Sequence, residues 1–214
     1  MVKRILVFTD SLGLPRELPE TCEFEETWPY LLKEVFLVHQ VSIGGGTIGD
    51  LLRQVSYHKM FKPDIVIIQS GIVDCAPRSL KHFELDLIKR IPFISNVLLK
   101  LIKKNSKSLR KIRKTSYTSP EDFKEKNGRI KMSLKDSNIY ALSILPASEK
   151  YEKKVPGITQ SIAKYNSILK ELYLDKFIDL NDIPREFIMS DSIHLNSKGQ
   201  RYIYKLILEK LSNA

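Results

Sequence analysis

Asp64-Ile65-Val66-Ile67-Ile68-Gln69 sets four consecutive branched apolar residues between polar ends. The run does not alternate, so a strand built from it has no face to offer to water. It needs a layer on each side, and helices joined to it by crossover connections supply such layers. The rest of the chain has the matching pieces. Residues 3–8 read as a second buried strand around the unbroken apolar run Ile5-Leu6-Val7-Phe8, and 38–43, 139–145 and 177–180 are further short strand-like stretches. Helical patterns fall between them. One starts at Thr27-Trp28-Pro29-Tyr30-Leu31-Leu32 with Pro29 in its first turn. Others cover 47–59, 79–104 with a break or new start at Pro92, Ile158–Tyr173 and 197–211. Five strands alternating with helices predict an α/β, doubly wound parallel sheet with helices on both faces, in a single domain over 1–214. Ligands bind such sheets at the carboxyl ends of the strands.

The 214 residues and an apolar fraction of 43% suit one globular domain without internal repeats. Cys22 and Cys75 form neither a disulfide framework nor a clustered metal site, which predicts two free thiols in a reducing compartment. His39, His58 and His82 lack metal-ligand spacing and read as surface or strand-end residues, so no metal and no cofactor is expected. The amino end runs into a strand without a charged-then-apolar leader, and no apolar run approaches a membrane span. The expected location is cytoplasmic.

The formal net charge of +10 is concentrated in one place. Fifteen Lys and Arg stand against three acids between Lys89 and Lys135, while the remainder holds 20 basic and 22 acidic residues. The stretch around 89–136 is weakly patterned, apart from a helix start at Ser119-Pro120-Glu121-Asp122, and reads as a basic helical and loop insertion or lid. It begins with an apolar run through Leu98-Leu99-Lys100-Leu101-Ile102, directly followed by Lys103, Lys104, Lys107, Arg110, Lys111, Arg113 and Lys114. Three readings stand side by side. The apolar part packs in the core and the cations are solvated; or both parts attach to the inner face of an anionic membrane; or the cations steer an anionic glycan or nucleotide-linked substrate. Nucleic acid is disfavoured, because among the cations from Lys103 to Lys135 only Tyr117 and Phe123 are aromatic and could stack on bases.

Two short patterns suit a hydrolytic serine. Ser11 follows the first strand, in Thr9-Asp10-Ser11-Leu12-Gly13. Asp191-Ser192-Ile193-His194 places a carboxylate three positions before an imidazole, ahead of the last helix. A serine hydroxyl needs a base to take its proton, and the base works best when a carboxylate fixes its tautomer. Taken singly, each has a plainer reading: Ser11 could cap a helix, Asp191 and His194 could be loop residues capping the last helix, Gly44-Gly45-Gly46 could be a turn, and Asp74 could organise its own turn.

Together the blocks resemble the SGNH (GDSL-type) hydrolases. The first block is Thr9-Asp10-Ser11-Leu12-Gly13, with Thr9 where the family has glycine; the second is Ser42-Ile43-Gly44-Gly45-Gly46-Thr47; the last is Asp191-Ser192-Ile193-His194. The third, Gly-x-Asn-Asp in the family, reads Gly71-Ile72-Val73-Asp74, so the asparagine is absent. The resemblance covers the chain outside the basic segment. It implies a flavodoxin-like five-stranded sheet with Ser11 as nucleophile, His194 as base and Asp191 as its orienting carboxylate. The amides of Ser11 and Gly45 would form an oxyanion hole. Val73 offers no hydrogen bond, and loss of one such donor costs about a hundred- to a thousandfold in rate. Arg78 is the candidate replacement, for the oxyanion or for a substrate carboxylate; the plainer reading is a surface arginine paired with an acid. The resemblance suggests an esterase acting on an O-acetyl group of a carbohydrate or polysaccharide precursor. The alternatives are an O-acyltransferase with a glycan acceptor and a weakly active or inert module that binds membrane or glycan.

Overall fold

Five strands, β1 (Arg4–Thr9), β2 (Leu37–Ser42), β3 (Ile65–Gln69), β4 (Asn138–Leu142) and β5 (Phe177–Ile178), form one parallel sheet in the order β2-β1-β3-β4-β5. The computed structural model describes residues 2–91 and 94–213; the break predicted at Pro92 lies outside the described residues. All of β3 is buried, as its unbroken apolar run requires. Alternation then sorts neighbours in the sheet onto opposite faces. Leu6, Phe8, Val66 and Ile68 enter one core, and Ile5, Val7, Ile65 and Ile67 the other.

Ten helices accompany the strands among the described residues: α1 (Trp28–Leu31), α2 (Ile48–His58), α3 (Ile72–Cys75), α4 (His82–Lys89), α5 (Ser95–Lys104), α6 (Ser106–Arg113), α7 (Pro120–Ser133), α8 (Glu149–Lys154), α9 (Ile158–Tyr173) and α10 (Ser197–Ser212). The first core is closed by Ile48, Leu51 and Val55 of α2, by α7, and by Ile158, Ile162, Tyr165 and Leu169 of α9. The second is closed by Trp28 and Leu32 near α1 and by Ile203 and Ile207 of α10. From β1 the chain crosses to β2 on one side, and from β3 to β4 on the other. The carboxyl ends of β1 and β3 therefore flank the switch point where this fold class opens a crevice.

The basic insertion expected around 89–136 needs correction at its carboxyl end. Ser119 caps α7 by accepting from the Asp122 amide at 3.1 Å, and Pro120 occupies its first turn. Phe123, Asn127 and Ile130, spaced four and three apart, face inward. Phe123 lies 5.0 Å from the Tyr165 ring, and the Tyr173 hydroxyl donates to Asn127 Oδ1 at 3.0 Å. This helix is a core layer, masked in the sequence by the charges on its outer face. The protruding part is α4, α5 and α6, where no described residue is buried. The core-packing reading of the apolar run at 91–102 fails for its described residues: none is buried, and Val97 and Leu101 are each more than half exposed.

Candidate active site

Ser11 begins a single 3-10 turn, Ser11–Gly13, at the end of β1. The turn is tied down from behind. The Asp10 amide donates to the Gln69 carbonyl at 3.1 Å, and Asp10 Oδ1 accepts from the Leu12 amide at 2.9 Å. Thr9, standing at the family's glycine position, turns its hydroxyl to Ser42 Oγ at 2.6 Å. It also crowds the turn: a Cβ on Gly13 would lie 2.4 Å from Thr9 Oγ1, so position 13 has room only for glycine. Asp10 is fully buried, and desolvation pushes its carboxyl up to about 7 against the pull of the Leu12 and Gly71 amides, with the Asp74 charge adding to the rise.

His194 arrives on the loop before α10. Asp191 shapes that loop and orients the ring with the same carboxylate. Its Oδ1 accepts from the amides of Ile193 at 2.9 Å and His194 at 3.0 Å, and its Oδ2 meets His194 Nδ1 at 2.6 Å. Ser192 between them has φ +69°, a left-handed conformation, and Arg185 donates to its hydroxyl at 3.0 Å. With Nδ1–H directed at Asp191, Nε2 faces Ser11 Oγ at 2.9 Å. Burial holds the His194 imidazole below its ordinary value, Arg16 acts in the same direction, and Asp191 opposes both. Burial works to raise the Asp191 carboxyl, but its hydrogen bonds from His194 and Ile193 keep it below the usual range. At neutral pH the arrangement is a neutral imidazole beside a carboxylate.

Gly45 closes the other side. Its φ of +68° suits glycine, and no neighbour lies within 4 Å of where a Cβ would stand, so backbone conformation rather than space selects it. Among the described residues, the amides of Ser11 and Gly45 donate to no protein acceptor. Asp74 does not organise its own turn as expected. Its carboxylate accepts from the Ile48 amide at the start of α2, at 3.0 Å and 3.2 Å, and from the Thr118 hydroxyl at 2.5 Å. It lies fully buried beneath the site, and desolvation raises it to about 6.

A cleft of about 540 Å³ joins Ser11, Gly45, Val73, Arg78 and His194. Arg78 reaches the side where the asparagine is absent: it donates to the Val73 carbonyl at 3.0 Å and stacks 4.2 Å over the Tyr117 ring. It makes no ion pair among the described residues, which removes the plain surface-pair reading. Arg16 and Tyr151 also line the cleft, and neither was singled out from the sequence. Arg16 donates a hydrogen bond to His194 Nε2. Its nearness to Ser11 in the chain was the only available signal; Tyr151, far from every block, gave none. A separate cavity of about 920 Å³, lined by Pro77, Arg110 and Lys111 among others, contains none of the Ser11, His194 or Asp191 groups. His39 and His58 pair with each other at 2.7 Å, and among the described residues no cluster of three or more ligating side chains could hold a metal.

No family model and no curated protein matches the sequence. Solved structures do match its fold. A lipase/acylhydrolase from Enterococcus faecalis is similar with a TM-score of 0.67 at 15% identity, over 99% of this chain and 96% of that one. The psychrotrophic esterase EstA from Pseudoalteromonas sp., inhibited by monoethylphosphonate, gives 0.58 at 17% identity, over 99% and 97%. A GDSL-like lipase from Bacteroides thetaiotaomicron gives 0.62 at 14% identity, over 99% and 88%. The chain has the SGNH hydrolase fold, as its sequence blocks implied. Within that fold, the groups brought together at the switch point are a hydroxyl, an imidazole and a carboxylate in sequence.

Proposed function

We propose that the protein is a serine ester hydrolase, carried by one observation: an unbroken hydrogen-bonded series from Ser11 Oγ through His194 to Asp191. Ser11 Oγ attacks the acyl carbonyl while its proton passes to His194 Nε2. The Ser11 and Gly45 amides bind the oxyanion. The alcohol leaves as its C–O bond breaks, taking the proton from His194. Water, deprotonated by the same nitrogen, then releases the acid and restores Ser11. A chromogenic acetyl ester should be cleaved by the wild type and not by Ser11→Ala. An organophosphonate ester should label Ser11 with a mass increment that vanishes in the variant. Equal background in both proteins would instead favour an inert binding module.

The substrate we infer is an acyl ester, O-acetyl in the simplest case, on a carbohydrate. The support is the composition of the cleft rim: Tyr117 and Tyr151 suit stacking and hydrogen bonding with a sugar ring, and the arginines give hydrogen bonds to its hydroxyls. Val73 favours a second reading, transfer of the acyl group to a glycan hydroxyl, because the apolar side chain replaces a polar one beside the acyl-enzyme and limits ordering of water there. Acetylated glycan formed from an acetyl donor and acceptor would distinguish transfer from hydrolysis.

We also propose that α4–α6 rest on an anionic membrane surface. Phe83, Leu87, Ile94, Val97 and Leu101 are each more than half exposed. Lys100, Lys103, Lys104, Lys107, Lys111 and Lys114 make no ion pair among the described residues. Apolar side chains beside unpaired cations match the boundary between acyl chains and acidic headgroups. No described helix is long and apolar enough to cross a membrane. Co-sedimentation with vesicles containing phosphatidylserine, lost in Lys103→Glu/Lys104→Glu/Lys107→Glu, is the expected result; no binding at low salt would end this proposal.

A further inference from the structure

We infer that the site is built for an ester carrying an anionic group, carboxylate or phosphate, beside its scissile bond, and that this group draws Arg16 away from His194 Nε2. The inference rests on the reading of Ser11 and His194 as the hydrolytic pair. His194 Nε2 has one lone pair, yet two donors converge on it: the Ser11 hydroxyl at 2.9 Å and the Arg16 guanidinium. Proton transfer from Ser11 would then create an imidazolium in contact with a guanidinium. Two adjacent cations in a partly desolvated cleft oppose that step, unless an anion sits between or beside them.

Asp191 can balance the imidazolium, but no described residue supplies a second anion for Arg16. Among the described residues no carboxylate forms an ion pair with Arg16 or Arg78, and Asp191 is engaged by His194. The Nε–H of each arginine is buried without a partner. Both line the same cleft as Ser11. Each is also anchored at its backbone. Arg16 and Cys22 exchange two backbone hydrogen bonds of 2.8 Å, and the Arg78 amide donates to the Thr115 carbonyl at 2.7 Å. A fixed root with a long side chain lets the guanidinium exchange one partner for another. Forked N–H pairs match the two oxygens of a carboxylate or phosphate, which an imidazole nitrogen cannot. A bound anion would therefore do two things. It would neutralise the charge that opposes formation of the imidazolium, and it would leave Nε2 to Ser11 alone. A neutral ester would meet the base with Arg16 still attached.

The test compares phenyl acetate with 4-acetoxybenzoate, 4-acetoxyphenyl phosphate and monophenyl succinate, which place the charge on the alcohol or on the acyl side. Rates are corrected for each ester's uncatalysed hydrolysis. The wild type should favour at least one anionic ester in kcat/KM by about ten- to a hundredfold over phenyl acetate. The carboxylate and phosphate arms decide which oxyanion is preferred. Arg16→Gln should bring that ratio close to one, Arg16→Lys should keep part of it, and Arg78→Gln should lower it through KM. In Ser11→Ala, calorimetric binding of inorganic phosphate or succinate should be lost on adding Arg16→Gln. Equal ratios in wild type and Arg16→Gln would overturn the anionic-substrate inference while leaving the hydrolase reading intact. Absence of any Ser11-dependent hydrolysis would overturn the hydrolase reading. Arg16-dependent anion binding would still uphold the anion site in that case, and its absence would remove both.

Discussion

The side-chain amide of Gln200 donates to the Leu12 carbonyl at 3.0 Å, while its Oε1 accepts from the Trp28 amide at 3.0 Å. One buried residue in the first turn of α10 thus holds the turn bearing Ser11 and the start of α1, a few positions beyond His194. Gln200→Leu strands a buried donor and a buried acceptor. It should destabilise the fold by about 1–3 kcal/mol and lower kcat more than it raises KM. Urea unfolding and ester kinetics on the same preparation check both.

Asp191→Asn should lower kcat about a thousand- to ten-thousandfold, because an amide can no longer fix the Nδ1–H tautomer or stabilise the imidazolium. KM should change little. The Oδ1 contacts to the Ile193 and His194 amides survive in the isosteric side chain, so thermal unfolding should show a folded protein.

In the proposed mechanism the base form of His194 is the active one, and its folded value lies below the ordinary imidazole value of 6.5. The acid limb of kcat/KM should therefore fall below pH 6.5, with activity already full at neutral pH. Burial is the main cause and Arg16 contributes, so Arg16→Gln should move that limb upward. A limb at or above 6.5 in the wild type would contradict the burial of this ring.

Asp10 carries the opposite sign for stability. Its folded carboxyl titrates at about 7 and its unfolded value is near 3.8. The folded state therefore holds a proton that the unfolded state has released, and its contribution to stability declines as pH rises from about 4 to about 7. Asp10→Asn keeps an acceptor for the Leu12 amide and removes the titration. Its urea midpoint should drop less than that of the wild type between pH 5 and 8.

Gly13 and Thr9 should behave as a coupled pair. Gly13→Ala forces a methyl against Thr9 Oγ1 and Cγ2, and such overpacking costs about 1–3 kcal/mol. In a Thr9→Gly background most of that cost should disappear, which a double-mutant cycle of unfolding free energies would measure.

Much of this architecture was legible because it is local. Unbroken apolar runs marked the central strands β1 and β3, and the 3.6-residue period marked α9 from Ile158 to Tyr173. The Ser11 and Asp191–His194 motifs are short, and Asp191 shapes its loop through neighbours two and three positions away. The start of α7 at Ser119 was legible, but its place in the core was not, because three inward side chains are diluted by charge and only packing against α2 and α9 reveals which face counts.

What the sequence determined by itself was the strands, the longer helices and the candidates for nucleophile, base and orienting carboxylate, since spacing and side-chain type are written along the chain. What only the tertiary structure decided was who faces whom. The strand order sets the ends of β1 and β3 beside each other, and loop closure carries His194 to Ser11 across 183 positions. The same folding brings Arg16 and Arg78 into one cleft and sends Asp74 to Ile48 and Thr118 instead of its own turn. A long side chain ends many ångströms from its backbone, and nothing in local spacing records which distant partner it will meet there.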